Sequence, residues 1–421
     1  MRFGRSSVYL LLLVAARAVA AGDDLPPDVI LLAHFKQKIR QDLARIPNYT
    51  CLETMQRFQR RHASQSFEPV DTVRLEVSNV GGKELFSFPG ARRFEDKDVA
   101  SFVSGGAVGN GIFAISIGNL FGHDAIPFQN RGADDLDGRR AVRYDFRVPQ
   151  FLSWFTVRIA DAAAIVAFKG SFWFDPATLD LLRLDISGED LPDQLGLREA
   201  GDSVRYTRAQ IGESTVLLPA RAELVLAKFS GQASRNLVEF SQCREYQTES
   251  TISFAPPPET SSELAKPMIQ EVDLPAGLVV PVELETAIDS RKASVGDPLR
   301  ARVLREVRYN RDQTLPKGAI LTGRIRTFER PSSQAPFTVG VEFTEIDWGD
   351  ARARFLAELV DIDNRLAGMT QLVSAGEDGR GRVTLHEVQG VWLFYMKGGR
   401  FRIAPGLHMV WRTLDGARTP R

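Results

Sequence analysis

Cysteine is nearly missing from this chain of 421 residues: there are two, Cys51 and Cys243. Two cysteines so far apart cannot build a zinc site alone. An excess of one charge is also missing, since 53 Lys and Arg balance 53 Asp and Glu. No global field therefore draws the chain to nucleic acid or to an acidic membrane. Histidine is scarce, and His34, His62, His123, His386 and His408 share no ligand spacing. His386-Glu387 starts like a zinc-protease helix, but Gly390 stands where the second histidine belongs. Asp361, Asp363 and Asn364 hint at a calcium loop, but Leu366 holds the position that needs glycine. Neither G-x-S-x-G nor S-x-x-K with partners is found. These absences point away from an enzyme, and no metal or cofactor is expected.

Long apolar runs are confined to the N-terminus. Arg2 and Arg5 precede "VYLLLLVAARAVA", and Ala18-Val19-Ala20 offers small residues for cleavage. That order reads as a secretory signal over residues 1–20. Arg17 interrupts the run, which argues against a permanent anchor. No cysteine stands at the cleavage site for a lipid, and no later stretch is long enough to span a bilayer. The expectation is a periplasmic or extracellular protein. There, Cys51 and Cys243 either form one disulfide or remain two buried thiols.

What is present is period-two patterning. One amphipathic helix comes first, over 28–46, with Leu32, Phe35, Ile39, Leu43 and Ile46 at spacings of three and four. Asp28 is its expected N-cap, and Pro47 its stop. "YTCLETMQRFQRR", "DTVRLEVSNV" and "KELFSFPG" then alternate as half-buried strands, with Gly81-Gly82 as a hairpin turn. Arg57, Arg60 and Arg61 are read as a solvated face, with a lipid-headgroup or partner-facing role as the alternative. From Arg139 to Phe254 short alternating segments follow one another between turn signals. Residues 255–272 are Pro- and Ser-rich and read as a linker, and a second β-rich unit, a barrel or sandwich, covers 273–415. The polar, Gly-rich region 364–385 is expected to be an exposed excursion. The fold class is mainly β.

"VSGGAVGNGIFAISIGNLFG", Val103 to Gly122, is the most unusual stretch. Its four glycines have the wrong spacing for a dinucleotide loop, and no βαβ pattern surrounds them. Ile112, Phe113, Ile115, Ile117, Leu120 and Phe121 cover most of a short helix, so it should be buried on more than one side. It is either plain core or a mobile lid over an apolar cavity.

"GSFWFDPATLDLLRLDIS", Gly170 to Ser187, resembles the hairpin of the bacterial outer-membrane lipoprotein carrier superfamily and its sigma-factor-regulator relatives. The order of elements over 28–254 is similar as well. The resemblance implies a curved half-barrel that holds acyl chains on its concave face. Ile112 to Phe121 would then be the plug or lid, and Trp154, Phe155, Phe172 and Phe174 would line the cavity or core. Residues 274–325, with "LPKGAILTGRI", are weakly similar to the C-terminal barrel of conjugation and type IV secretion channel scaffolds. Two functions are expected to compete. One is an envelope protein that binds an apolar ligand, a lipid or an acylated protein. The other is an envelope scaffold or sensor with a packed core and only protein partners.

Overall fold

The computed structural model describes residues 25–81, 83–91, 93–97, 99–103, 115–122, 124–159, 162–246, 270–311, 313–330, 337–363, 370–372, 390–396 and 400–415. The signal stretch and most of the 255–272 segment lie outside the described residues.

Helix α1 spans Pro27–Arg45. Its N-cap is Pro26 rather than Asp28, because the Pro26-Pro27 pair sets the start. Pro27 suits a first turn, where its missing N–H would have no partner anyway. Asp28 instead sits in the first turn and Arg45 in the last, both matching the helix dipole. The stripe buries Phe35 and Ile39.

The first sheet uses β1 (Tyr49–Arg60), β2 (Glu68–Val80), β3 (Lys83–Ser87), β4 (Phe128–Leu136), β5 (Arg139–Val148), and, after a separate hairpin β6 (Thr156–Ile159) and β7 (Ala162–Ile165), β8 (Ala167–Phe174), β9 (Leu181–Glu189), β10 (Leu197–Ile211), β11 (Ser214–Lys228) and β12 (Ala233–Glu245). Its order is β3-β2-β1-β12-β11-β10-β9-β8-β5-β4. The sheet is a curved half-barrel, and the chain is mainly β. Helix α2 (Ile115–Gly122) interrupts the strands after β3.

The β1–β12 pairing joins segments far apart in sequence and is stapled by the Cys51–Cys243 disulfide. The register slips between Thr50 and Leu52, and Gln242 takes a left-handed φ of 51°. This bulge lets Gln242 and Cys243 oppose Cys51. A disulfide fits an oxidising envelope location.

The second sheet is built from β13 (Gln270–Val272), β14 (Val279–Leu284), β15 (Ile288–Asp289), β16 (Pro298–Val303), β17 (Val307–Arg308), β18 (Thr314–Leu315), β19 (Ile320–Glu329), β20 (Phe337–Trp348), β21 (Ala351–Arg354), β22 (Ala357–Ile362), β23 (Thr370–Leu372), β24 (Trp392–Met396), β25 (Arg402–Ile403) and β26 (Leu407–Thr413), with β15–β25 and β17–β18 as small side pairs. Its main order is β13-β21-β20-β19-β16-β14-β26-β22. Strand β13 falls within the stretch read as linker and pairs in parallel with β21. Strand β23 lies in the region read as an excursion, whose remainder is outside the described residues. Trp411 is fully buried, edge-on to Phe343 at 5.3 Å.

The two sheets meet along β2. Strand β3 covers only Glu76–Val80 of it, which leaves the edge before residue 76 free. There Arg74 N–H donates to the Val295 carbonyl (2.8 Å), Val295 N–H to Thr72 (2.8 Å), and Arg330 N–H to Val70 (2.9 Å). Gly296 follows at φ 95°, and a Cβ there would lie 2.2 Å from the Arg74 carbonyl oxygen. No side chain fits that approach.

Two outcomes follow from this geometry. Gly296→Val should lower the thermal midpoint and abolish hydrogen-exchange protection at the Arg74 and Val295 amides, while the β10–β11 amides stay protected. Unchanged protection at Arg74 would show that the junction does not depend on this contact. Replacing both cysteines by serine should cost at most roughly 5 kcal/mol in denaturant unfolding, the chain-entropy value for so long a loop.

Candidate functional site

Alternation decides which side chains enter the half-barrel. On β5, Tyr144, Phe146 and Val148 are buried, while the intervening Arg143, Asp145 and Arg147 face outward. On β8 the inward set is Phe168, Phe172 and Phe174. Gly170 completes this row without a side chain, and Phe146 fills the space over it: a Cβ on Gly170 would lie 2.5 Å from the Phe146 ring.

Helix α1 places Phe35 on this aromatic floor. Its ring stacks on Phe174 (4.2 Å between centroids) and Phe172 (5.3 Å). Phe121 of α2 stands edge-on to both Phe35 (5.2 Å) and Phe172 (5.0 Å). Ile117, Leu120 and Phe121 are all buried. Beyond these apolar contacts, the Arg40 guanidinium holds α2 by donating to the Phe121 carbonyl at 3.0 Å. Lys36 and Arg40 also pair with Asp124 just past α2, and their hydrogen bonds bring its pKa down to about 2.

The structure thus brings Ile117, Phe121, Phe172 and Phe174 together. Trp154 and Phe155 sit apart, half-buried against Phe168 at 5.0 and 5.7 Å. Ile115 opens α2, and Ile112 and Phe113 lie outside the described residues. Phe35, Phe128, Tyr144 and Phe146 also belong to the cluster. Their inward alternation was visible in the sequence, but not which strands would face α1.

The far side of the concavity mixes apolar core residues such as Met55, Val73 and Leu75 with polar ones. The inward residues of β1 are Tyr49, Cys51, Glu53, Met55 and Arg57. Arg57 is therefore not on a solvated face: it is 5% exposed and forms a two-pronged pair with Asp71, its Nε donating at 2.6 Å. Its register partner on β2 is Asp71, which makes burial tolerable. Arg60 packs over Phe67 at 5.0 Å, and Arg61 is exposed. Glu53 is also 5% exposed, and burial, with the nearby Glu84 carboxylate adding to it, pushes its pKa up to about 8. Burial likewise raises half-buried Asp202 on β10 to about 7.

On the outer face, a groove of 720 Å³ is lined by Arg131, Arg143, Asp145, Arg147 and Lys169. Its charges are mutually paired, Arg131 and Arg143 with Asp145 and Arg147 with Glu189. Among the described residues no cluster of three metal-ligating side chains occurs, and no helix is long and apolar enough to cross a membrane.

Truncation of Phe35 to alanine should destabilise the fold by about 3–5 kcal/mol, read by urea unfolding. Arg57→Ala should cost about 3–5 kcal/mol, because Asp71 is left buried and unpaired. Glu53 and Asp202 bind protons more tightly when folded, so their contribution is full below the ordinary 4.5 and 3.8 and is lost as pH rises through about 8 and 7. Stability should therefore fall from pH 5 to 8, and Glu53→Gln with Asp202→Asn should flatten that slope. An equally steep slope in the double variant would refute the assignment.

No family model matches the chain, and no curated protein matches it. Solved structures do. A DUF1329 family protein from Desulfovibrio piger is similar at 11% identity and TM-score 0.29, over 50% of this chain and 90% of its own. A domain named for outer membrane lipoprotein sorting from Vibrio parahaemolyticus shares 12% identity at TM-score 0.29, over 52% of this chain and 93% of its own. A LolA superfamily protein from Nitrosomonas europaea shares 11% identity at TM-score 0.25, over 51% of this chain and 94% of its own.

Proposed function

We propose that the chain is an exported, non-catalytic binding protein of the bacterial cell envelope that holds an apolar ligand, a lipid or an acylated protein, in the half-barrel. Residues 28–254 are the binding unit, and 273–415 form a second unit docked on its β2 edge. The observation that carries the reading is the seat of α2. Three apolar side chains, Ile117, Leu120 and Phe121, rest on an aromatic floor, and Arg40 adds a polar contact to the helix there. In sequence, α2 follows four glycines within seven residues, Gly105 to Gly111. A helix seated in this way is replaceable by an acyl chain, which offers the floor the same dispersion and area burial.

A second reading has its own support. Phe35, Phe121, Phe172 and Phe174 are each fully buried, so α1 and α2 already fill the aromatic part of the concavity. A filled half-barrel suits an envelope scaffold or sensor that binds proteins only.

Native mass spectrometry of the mature protein from an exporting host, with organic extraction, separates the two. The ligand reading expects a retained mass in the acyl or phospholipid range, lost in Ile117→Asp because a carboxylate cannot lie on the floor unpaired. A bare protein mass, with no uptake of fatty acid or phospholipid, would sink it and leave the scaffold.

A further inference from the structure

The groove on the outer face is set by strand register. Asp145, Ser171 and Asp185 stand side by side on β5, β8 and β9, and so do Arg147, Lys169 and Ser187. Between these two outward rows runs a row of Phe146, Gly170 and Ile186, and both side chains of that row are buried in the half-barrel. Backbone therefore floors a trough that crosses the sheet from Pro127 and Phe128 at β4 to Ser187 on β9. Strands β4, β5, β8 and β9 are successive neighbours, so the trough is about 14 Å long. Short side chains keep it open. Ser171 and Ser187 line it, and Gly201 and Ser203 of β10 are the neighbours of Ser187 and Asp185. Its 720 Å³ falls within the usual range of small-molecule sites, about 300–1,000 Å³.

Four cations line the trough, Arg131, Arg143, Arg147 and Lys169, and they share two carboxylates. Arg131 and Arg143 pair with Asp145 at 2.7 and 2.9 Å, and Arg147 and Lys169 with Glu189 at 2.6 and 3.3 Å. Two further acids stand beside them. Asp185 pairs with Arg183 at 2.7 Å, while Asp134 accepts the Trp173 indole N–H and is stabilised by Arg143. Farther along the same face, Arg139–Asp175 and Arg205–Asp137 are closed pairs. Around the trough, five cations thus meet four acids. The excess lies at the Arg147–Lys169 end, where two exposed cations hold one acid. Arg131 and Arg147 use only Nε on their carboxylates, which leaves their Nη groups as donors. Asp185 gives one oxygen to Arg183 and keeps the other as an acceptor. Ser187 and the exposed Gln129 add a hydroxyl and an amide.

We infer that this trough is a second binding site, for an acidic saccharide: a hydroxyl-rich body that carries an oxyanion. Arg147 and Lys169 take the oxyanion, because a guanidinium and an ammonium side by side offer it charge-assisted hydrogen bonds. Along the rest of the trough donors and acceptors are mixed. Arg131, Gln129, Asp185 and Ser187 suit hydroxyls, each of which both donates and accepts. An apolar body would strip these groups of water without replacing its hydrogen bonds, and a cationic one would meet the excess positive charge. The trough lies on the face opposite the aromatic floor, so the inference goes beyond the apolar-ligand reading and does not depend on it.

The test uses the mature full-length protein and three trisaccharides of different charge: trigalacturonate, maltotriose and the glucosamine trimer, titrated by isothermal calorimetry at low salt. Trigalacturonate should bind at least about tenfold more tightly than either of the others, and its affinity should fall as salt rises. In Arg147→Gln with Lys169→Gln that preference should shrink to within about twofold. The thermal midpoint should stay near that of the unaltered protein, because exposed ion pairs add little stability. Glu189→Gln should tighten trigalacturonate binding by about threefold or more, since the two cations lose their competing carboxylate. A purely structural role for these pairs gives no such gain. Equal binding of the three sugars, binding of none, or an unchanged preference in the double variant would overturn the site. Fatty-acid uptake and its loss in Ile117→Asp are separate readouts, so either reading can fail while the other stands.

Discussion

The pairing of β1 with β12 is the constraint on which the half-barrel depends. Strands β4 to β12 form one long meander, and among the described strands β1 to β3 join it through this pairing. Without it the chain would leave two smaller sheets, each with an apolar face and open edges. The register runs from Tyr49–Glu245 to Arg60–Ala233 and is held by the Cys51–Cys243 bridge. Because a strand alternates, this one register decides which β1 residues point inward. It places Cys51 and Met55 in the core, and by the same geometry Glu53 and Arg57.

The interior consequently has two chemistries. Aromatic rings supplied by α1, α2, β5 and β8 interlock in stacked and edge-on pairs, each adding about 0.5–1.5 kcal/mol beyond area burial. Across β9 and β10, carboxylates, phenols and one ion pair stand among the apolar side chains. Arg57–Asp71 is internally compensated and serves the fold, whereas Glu53 and Asp202 oppose it whenever they ionise. An interior optimised only for packing would carry apolar residues at those positions, as Leu75 and Val204 do beside them. The polar side is therefore the part of the half-barrel that stability does not account for.

Much of the strand content was legible because period-two alternation is a local signal. The hairpin at Gly81, the apolar character of α2 and the stripe on α1 were legible for the same reason. Arg57 was not, because polarity assigns an arginine to the outside and its partner Asp71 becomes a neighbour only after β1 and β2 pair. The start of α1 was misplaced by one turn's logic: Asp28 is a good cap by type, but two prolines just before it fix the backbone first. Phe35 stood out as part of a stripe, while its stacking on Phe172 and Phe174 is a contact between segments about 140 residues apart and leaves no local trace.

The second sheet addresses a problem the first creates. Strand β2 is longer than its partner β3, so its leading half would expose unpaired N–H and C=O groups to any other strand. Val295 and Arg330 occupy those groups at residues 70, 72 and 74. Arg74 and Asp297 add an ion pair across the same line at 2.6 Å. Beyond it, Phe88 is held between the guanidiniums of Arg324 and Arg326 at 4.7 and 4.8 Å, and Glu342 lies 3.2 and 3.6 Å from the two. Burial favours the neutral form of Arg324 and of Glu342, and their proximity to each other opposes that cost. Phe88 also packs on Phe102, just after the short helical turn Val99–Ser101. The docked sheet thus both closes an edge of the first sheet and ties Phe88 and Phe102 to its own charged face.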